Sequence, residues 1–566
     1  MKKSIPISQP VNAEGNLKEI NGNIERIEGK YPFIATTLIG VLGVLPKLLE
    51  NVDGKVTDII YWAFPFVFML VLSYVADLFR QVAVLRGYAS YLEEVINDDQ
   101  KRSLQLWNST YIDKLIQNNG TNILIMLSSS ACFAFALYGY FSVFLLKVEL
   151  KYRIAVIVYI FLGLILFIRH MSLNDRIRRQ SYWVAKTKNE DIYRVLLFSE
   201  CKRLIAESGV GKVLSLQIKA LGSQENVYYT TDKKEFYNIV HINTFGIQSY
   251  LLAKKCRRKG IPVIITTHTI VEDFKNSFIG TYNKLVQKLF RWWIKRFYSH
   301  ADQLISPTKY VERLLKGGKY DISVPIEVIS NGVDNDLFAK SGNKKERKAI
   351  IRLLKRKNKG FTIKNSDKII LSVGLYLERK GIEEFVKLAE QVKEDKTHAD
   401  WKFVWFGHTN ELFIPTRISK AKNRAKKMDN IVFPGYVDHK TLAKVYRNSD
   451  VVLMMTKEET ECLVVLEALS SRVPLVVRNI DVFKGWLSEG ACRKFGDGSS
   501  KDDKAQSEEI VKILEDTFDK DNKDMLDQGA KIAQERDLKI SGQKLSNLYL
   551  TVYRTKKAQK EKQLIE

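Results

Sequence analysis

An acidic run sits between two apolar segments of this chain. Lys457-Glu458-Glu459-Thr460-Glu461-Cys462 follows Val451–Met455 and precedes Leu463-Val464-Val465-Leu466-Glu467-Ala468-Leu469. A strand, a loop and a helix in that order place the loop Thr456–Glu461 at the carboxyl edge of a parallel sheet, where open α/β folds bind ligands. A helix starting near Cys462 offers free N–H groups that favour a phosphate. Glu459 then occupies the loop tip, and Glu467 lies eight residues on, inside the helix. Glu467 falls in an otherwise apolar run, and a buried carboxylate needs a partner. The chemistry this suits is anion binding beside fixed carboxylates; a solvated acidic loop is the alternative reading.

Other candidates are more isolated. His268 follows the apolar strand Ile264–Thr267, and Arg379-Lys380 follow the strand Ile369–Val373. A lone histidine is usually structural. Gly209-Val210-Gly211 is a weak glycine signature. It is not a nucleotide P-loop, because Ala206 stands where the first glycine belongs and Val213 follows Lys212 where Ser or Thr belongs.

The elements that must position these residues alternate. Short β-rich runs occur at Arg194–Phe198, Ile239–Ile242, Val263–Thr267, Gln303–Ser306 and Glu327–Ile329, then at Lys368–Val373, Lys402–Phe406, Ile431–Phe433, Asp450–Met454 and Leu475–Val477. Strands separated by helical patterns indicate parallel α/β units. They suffice for two Rossmann-like domains, expected at 193–338 and 361–530 with a basic linker 339–360 between them. A C-terminal helix and basic tail are expected at 531–566, and its amphipathic part Leu538–Lys557 could pack back across both.

The first 190 residues differ in character. Four uncharged apolar runs stand out: Tyr31–Pro46, Ile59–Ala76, Ile123–Leu146 and Ile154–Ile168. A helix needs about 20 apolar residues to cross the hydrocarbon core. The expectation is a transmembrane domain over 31–170 with spans at about 31–49, 59–79, 123–146 and 153–170, after a cytoplasmic tail 1–30 and before a linker 171–192. Buried core helices are the alternative for the shorter runs. Lys and Arg are concentrated in 1–30, 77–122 and 169–190, which places these three segments and everything after them on the cytoplasmic side of the cell membrane. The middle segment, with Tyr88, Tyr91, Leu92 and Val95, reads as an amphipathic helix.

Composition excludes several classes. With 90 Lys+Arg against 64 Asp+Glu, 45% hydrophobic residues and only 31 Gly and 11 Pro in 566 residues, the chain is neither disordered nor collagen-like. Five cysteines without paired spacing argue against a disulfide framework and a structural zinc site. The excess positive charge suits nucleic acid or a membrane, but no zinc-finger or RNP-type string accompanies it.

Taken together, the motifs resemble a known family. E-x7-E from Glu459 to Glu467, followed by Ala468-Leu469 and a strand introduced by Pro474, resembles the donor site of retaining glycosyltransferases of family 4, which have the GT-B fold. The fuller string Glu458–Leu469, with Val477–Leu487 downstream, is closer to the bacterial glucosyltransferases that build glycosyl-diacylglycerols. Glu207–Leu221, Tyr237–Lys255, Val263–Phe278, Pro325–Asp334, Ser372–Gly381 and Phe403–Glu411 follow the same group in order. The resemblance covers about 193–490 and leaves out the first 190 residues.

The resemblance implies roles. Gly209 and Gly211 would form the turn before the first helix and let backbone approach the donor phosphates. His268 matches the active-site histidine, and Asp273 is an acceptor-side candidate. Arg379 and Lys380 would bind the donor diphosphate, which gains charge as the glycosidic bond breaks; two fixed cations and a helix N-terminus stabilise it without a metal or other cofactor. Glu459 would contact the donor sugar and Glu467 the donor ribose. Gly374, Gly407, Thr460, Glu461, Cys462, Leu463 and Val464 complete the implied donor site. Two positions depart from the pattern: Leu375 replaces the usual arginine after Gly374, and Cys462 replaces a usual glycine. The implied donor is a UDP-hexose, glucose or galactose.

One basic segment remains, Thr281–His300. Leu285, Leu289 and Trp293 recur at helical spacing, with Trp292 and Lys284, Lys288, Arg291, Lys295 and Arg296 around them. Such a helix suits an anionic membrane interface; an ordinary domain helix with one buried face is the alternative. The expected function is hexosyl transfer to a lipid, a diacylglycerol or monoglucosyl-diacylglycerol, at the cytoplasmic face. The alternatives are a polyprenyl-linked acceptor or a non-catalytic nucleotide-sugar-binding protein. No nucleic-acid partner is expected, and the oligomeric state is not legible.

Overall fold

The computed structural model describes residues 13–31, 33–34, 74–96, 161, 165, 174, 176–187, 192–200, 209–274, 283–357, 360–409, 416–496 and 503–565. It divides into two compact units.

The first unit holds the described residues before Tyr193. Helix α1 (Ala13–Glu28) packs with helical residues 74–96 and 176–187. Ile20, Ile24 and Ile27 recur every three or four residues on α1 and meet Leu78, Val82, Tyr91, Leu92 and Ala185. Arg86 pairs with Glu28, and Lys186 with Glu94. A Cβ on Gly87 would collide with the Arg178 carbonyl, so the helices approach closely there. The 1–30 segment, expected as a tail, is thus mostly helix, because its isoleucine stripe has two other helices to pack against. The described parts of the segments assigned to one side by their Lys and Arg, within 13–30, 77–96 and 176–187, pack against each other. The four expected spans lie almost wholly outside the described residues, and no described helix is long and apolar enough to cross a membrane.

The second unit contains two all-parallel six-stranded sheets. In the first the order is β2-β1-β3-β4-β5-β6, with β1 Tyr193–Phe198, β2 Val227–Thr230, β3 Ile239–Ile242, β4 Val263–Thr266, β5 Gln303–Ser306 and β6 Ile326–Val328. In the second the order is β12-β11-β10-β7-β8-β9, with β7 Lys368–Val373, β8 Trp401–Phe406, β9 Ile431–Gly435, β10 Val451–Met454, β11 Leu475–Arg478 and β12 Arg493–Phe495. Relabelled from β7, that order is the doubly wound 3-2-1-4-5-6, and its switch point lies between β7 and β10. Central strands are buried on both faces, as parallel sheets require. This is the expected GT-B arrangement of two Rossmann-like domains.

Two boundaries differ from expectation. Within the supposed linker 339–360, Lys344–Lys357 forms a helix, and its Ile350, Ile351 and Leu354 are buried in the second domain's core. Its high charge lies on the other faces: Arg347 reaches Asp450 at 3.1 Å and Glu346 binds Arg447 at 2.8 Å. At the C-terminus the chain returns. Helix Lys523–Glu535 packs on the second domain through Ile532 and Ala533. Asp537 bridges to Val333, and helix Leu538–Ile565 lays Leu545, Leu548, Tyr549 and Val552 against Tyr193, Val195 and Leu197.

Candidate active site

The loops after β7 and β10 flank the switch point, and each fixes the other. Lys457 N donates to the Arg379 carbonyl at 2.7 Å, and Arg379 Nη1 donates to the Glu458 carbonyl at 3.0 Å. Gly381, at φ 79°, lets the loop pass against Met455, where a Cβ would collide with the Met455 carbonyl. Gly407 meets Gly374 so closely that a Cβ on it would overlap the Gly374 carbonyl. Glycine at both positions keeps the strand ends open.

Between these loops lies a charged cluster. Lys380 Nζ pairs with Glu459 Oε1, which also accepts from Thr456 Oγ1 at 3.0 Å. Arg379 Nη1 lies 3.6 Å from Glu459 Oε2 and 2.8 Å from Asp273 Oδ1. Burial works against the Glu459 carboxylate, but Lys380 and Arg379 together hold its pKa below the usual range. Burial raises Asp273, with Arg379 opposing.

The first domain supplies the facing wall. His268 Nε2 lies 3.1 Å from Asn243 Oδ1, and Asn243 exchanges two hydrogen bonds with Gln217, at 2.7 and 3.0 Å. With the Asn243 amide in this orientation, Nε2 carries the imidazole proton and Nδ1 is left as an acceptor. Burial pushes the His268 pKa down to about 4, so the ring is neutral at physiological pH. Behind it, His241 bridges Tyr549 Oη (2.7 Å) and Thr266 Oγ1 (2.5 Å), with its pKa near 3 by burial and the proximity of His268.

Domain-crossing contacts surround the acidic loop. Thr308 Oγ1 donates to the Thr460 carbonyl at 2.8 Å, and Tyr310 Oη donates to Glu458 at 2.8 Å. Asn331 donates to Glu461 through its backbone (3.0 Å) and side chain (2.6 Å). Burial raises Glu458 to about 7, with Tyr310 opposing.

A cleft of about 420 Å³ brings together most of the residues singled out in the sequence: His268, Asp273, Gly374, Arg379, Lys380, Gly407 and Glu459–Val464 all line it. Glu467 does not. It is buried one helical turn behind Leu463, its Oε1 paired with Lys212 and its Oε2 accepting from Tyr446 Oη at 2.9 Å. Its partners in this structure are thus Lys212 and Tyr446. Gly209 and Gly211 are not in the turn before the first helix; they are its first and third residues, in Gly209–Leu221. Cys462 caps the helix Leu463–Ser470 at φ 73°, a left-handed conformation that a glycine adopts without strain. Leu375 lines the cleft in place of an arginine.

Arg291, Trp292, Trp293 and Lys295 lie on the helix Lys284–Tyr298 and do not line the cleft. Trp293 Nε1 donates to the Phe245 carbonyl at 2.7 Å, and Arg291 pairs with Glu272 at 3.3 Å. Trp292, Leu285 and Leu289 are 62%, 63% and 59% exposed. Lys295 stands 4.0 Å from Asp321. Sequence reasoning missed Lys212, Tyr446, Asn331, Gln217 and Asn243, all set by contacts distant in sequence.

Comparison with known proteins agrees with this geometry. Residues 354–532 match the glycosyl transferases group 1 family, and 232–337 match glycosyltransferase family 4. The processive diacylglycerol alpha-glucosyltransferase of Acholeplasma laidlawii is 32% identical over 368 residues, 64% of this chain and 100% of the relative. The chain belongs to glycosyltransferase family 4. It is a hexosyltransferase of that family's retaining type. Two further relatives are the alpha-monoglucosyldiacylglycerol synthase of Acholeplasma laidlawii, 23% identical over 51% of this chain and 68% of the relative, and the UDP-Gal:alpha-D-GlcNAc-diphosphoundecaprenol alpha-1,3-galactosyltransferase of Escherichia coli, 28% identical over 45% and 60%. The family 4 matches begin after β2, so the helical first unit lies outside them.

Proposed function

We propose that this family 4 enzyme moves glucose or galactose from a UDP-sugar to a diacylglycerol-based lipid at the cytoplasmic face of the cell membrane. The observation that carries the reading is the convergence of Arg379, Lys380, Glu459 and His268, from loops of both domains, on one cleft. The diphosphate would take the two cations now held by Glu459 and Asp273, assisted by the N-terminus of the helix Leu463–Ser470. Glu459, released from Lys380, would accept hydrogen bonds from the sugar. The acceptor hydroxyl attacks the face that the diphosphate leaves, and a diphosphate oxygen takes its proton. His268, neutral and accepting at Nδ1, orients a hydroxyl. No step calls for a metal.

The lipid acceptor is supported by the similarity to two diacylglycerol glycosylating enzymes and by the helix Lys284–Tyr298. It exposes Leu285, Val286, Leu289 and Trp292, and the helix Ile247–Arg258 of the same domain exposes Ile247 and Leu251 and also carries Lys254, Lys255, Arg257 and Arg258. The Trp293 and Tyr250 rings, one from each helix, meet at 5.4 Å with a 46° tilt. An apolar patch rimmed by cations fits an anionic interface. The apolar runs of the first 170 residues would anchor the enzyme in the same membrane.

The test is a mixed-micelle transfer assay. It crosses labelled UDP-glucose and UDP-galactose with diacylglycerol, monoglucosyl-diacylglycerol and undecaprenyl-linked sugar, with Lys380→Ala as control. Label in a diacylglycerol-based product, absent with the variant, is expected. Label only in the polyprenyl product would overturn the acceptor assignment, and binding of UDP-sugar without transfer would overturn the reaction.

A further inference from the structure

A second cavity, of about 340 Å³, lies where the C-terminal return segment meets both domains. Its polar lining is mostly donor, and some of those donors lack acceptors among the described residues. The Arg536 guanidinium lies 4.9 Å above the Trp486 ring and makes no hydrogen bond or ion pair among the described residues. Burial lowers its pKa, and Glu461 and Glu535 only partly offset that cost. Trp486 Nε1 is buried without a partner. Ser541, 3% exposed, leaves its hydroxyl unpaired among the described residues. Lys309 and Lys544 stand at the rim, equally unpaired, and Glu535 is the one carboxylate in the described lining.

Native structures rarely leave polar groups around one space without partners. A half-buried guanidinium without a directly paired carboxylate is costly, and a ligand anion would remove the cost. Val482, Ile540 and the Trp486 face give the cavity an apolar wall. We propose that this cavity is a second ligand site, which takes a small phosphate ester with its phosphate on Arg536 and Ser541 and its carbon portion on the apolar wall.

The site has a route to the transfer cleft. Thr308 and Tyr310 line the second cavity and also hold Thr460 and Glu458 of the donor loop. A ligand packed against them restrains that loop. The binding claim does not depend on the proposed reaction; a change in donor KM does.

The experiment is calorimetric titration of the full chain with sn-glycerol 3-phosphate and with inorganic phosphate. A phosphate also suits the transfer cleft, so the titration is repeated on Lys380→Ala. Arg536→Gln removes the buried cation, and Lys544→Gln removes a rim cation at an exposed position that packing does not need. Binding of the ester to the wild type and Lys380→Ala alike is expected, weakened about tenfold by Arg536→Gln and about threefold by Lys544→Gln. The ester should bind more tightly than inorganic phosphate. Three results would each overturn the proposal: no binding at millimolar concentration, binding lost in Lys380→Ala while both other variants bind normally, or equal affinity for the two probes. Should Arg536→Gln fail to fold, Lys544→Gln decides.

Discussion

The two Rossmann-like domains present different chemistry to the same cleft. The second domain offers fixed charge: Arg379, Lys380 and Glu459 lie on loops braced by backbone hydrogen bonds. The first domain offers a neutral imidazole held by an amide pair, with two histidines kept uncharged by burial. The charges the first domain does contribute to the lining, Lys212 and Asp273, are both engaged with second-domain partners, Glu467 and Arg379. The division fits the reaction. A departing diphosphate carries charge and needs cations, whereas an attacking hydroxyl is neutral and needs orientation. On the proposed reaction, the charged half would govern donor and leaving group, and the neutral half acceptor geometry.

The largest break in that comparison is expected from the charged half. Lys380→Ala should lower kcat by about 10³-fold, because removing one fixed donor to a developing charge costs roughly 10²–10³. A loss confined to KM would contradict it. His268→Ala should cost less, about 10²-fold, and the wild-type rate should show no inflection between pH 5.5 and 8 from this group, since its pKa lies near 4. An acid limb near 6.5 that disappears in His268→Ala would show the ring is not held neutral.

Stability should carry the same signature. A histidine with a depressed folded pKa contributes stability that is complete above its unfolded value near 6.5 and is lost as pH falls toward 4. Each such group costs about 1.4 kcal/mol per pH unit in that window. Urea unfolding at pH 7 and pH 5 should therefore show a smaller acid loss in His241→Asn than in the wild type, and an equal loss would place the proton uptake elsewhere. On the outer face, Leu289→Asp with Trp292→Asp should weaken binding to anionic vesicles about tenfold and leave unfolding midpoints unchanged; undiminished binding would remove this helix from the interface. The smallest effect is at the helix cap. Cys462→Gly should raise stability by about 0.5 kcal/mol by relieving its left-handed strain, read as a higher thermal midpoint.

Much of the fold was legible because central parallel strands are continuous apolar runs, as at Lys368–Val373 and Val451–Met454. The missed strands are edges. β2, Val-Tyr-Tyr-Thr, turns Tyr228 and Tyr229 outward, and β12 is three residues, Arg-Lys-Phe. The helix Lys344–Lys357 was hidden by eight Lys and Arg around a narrow stripe of Ile350, Ile351 and Leu354. At the site, residues on the sheet's carboxyl edge could be read locally. Lys212 could not be assigned, because its partner Glu467 is 255 residues away, nor Asn331, 130 residues from Glu461. The unpaired Glu467 in an apolar helix did announce that such a partner must exist.

The most direct test of the division between the two halves is UDP affinity set beside single-turnover rate in Lys380→Ala and His268→Ala. The account predicts that Lys380→Ala loses UDP affinity as well as rate, about tenfold or more, while His268→Ala keeps wild-type UDP affinity and loses rate alone. UDP bound normally by Lys380→Ala, or lost in His268→Ala, would contradict it.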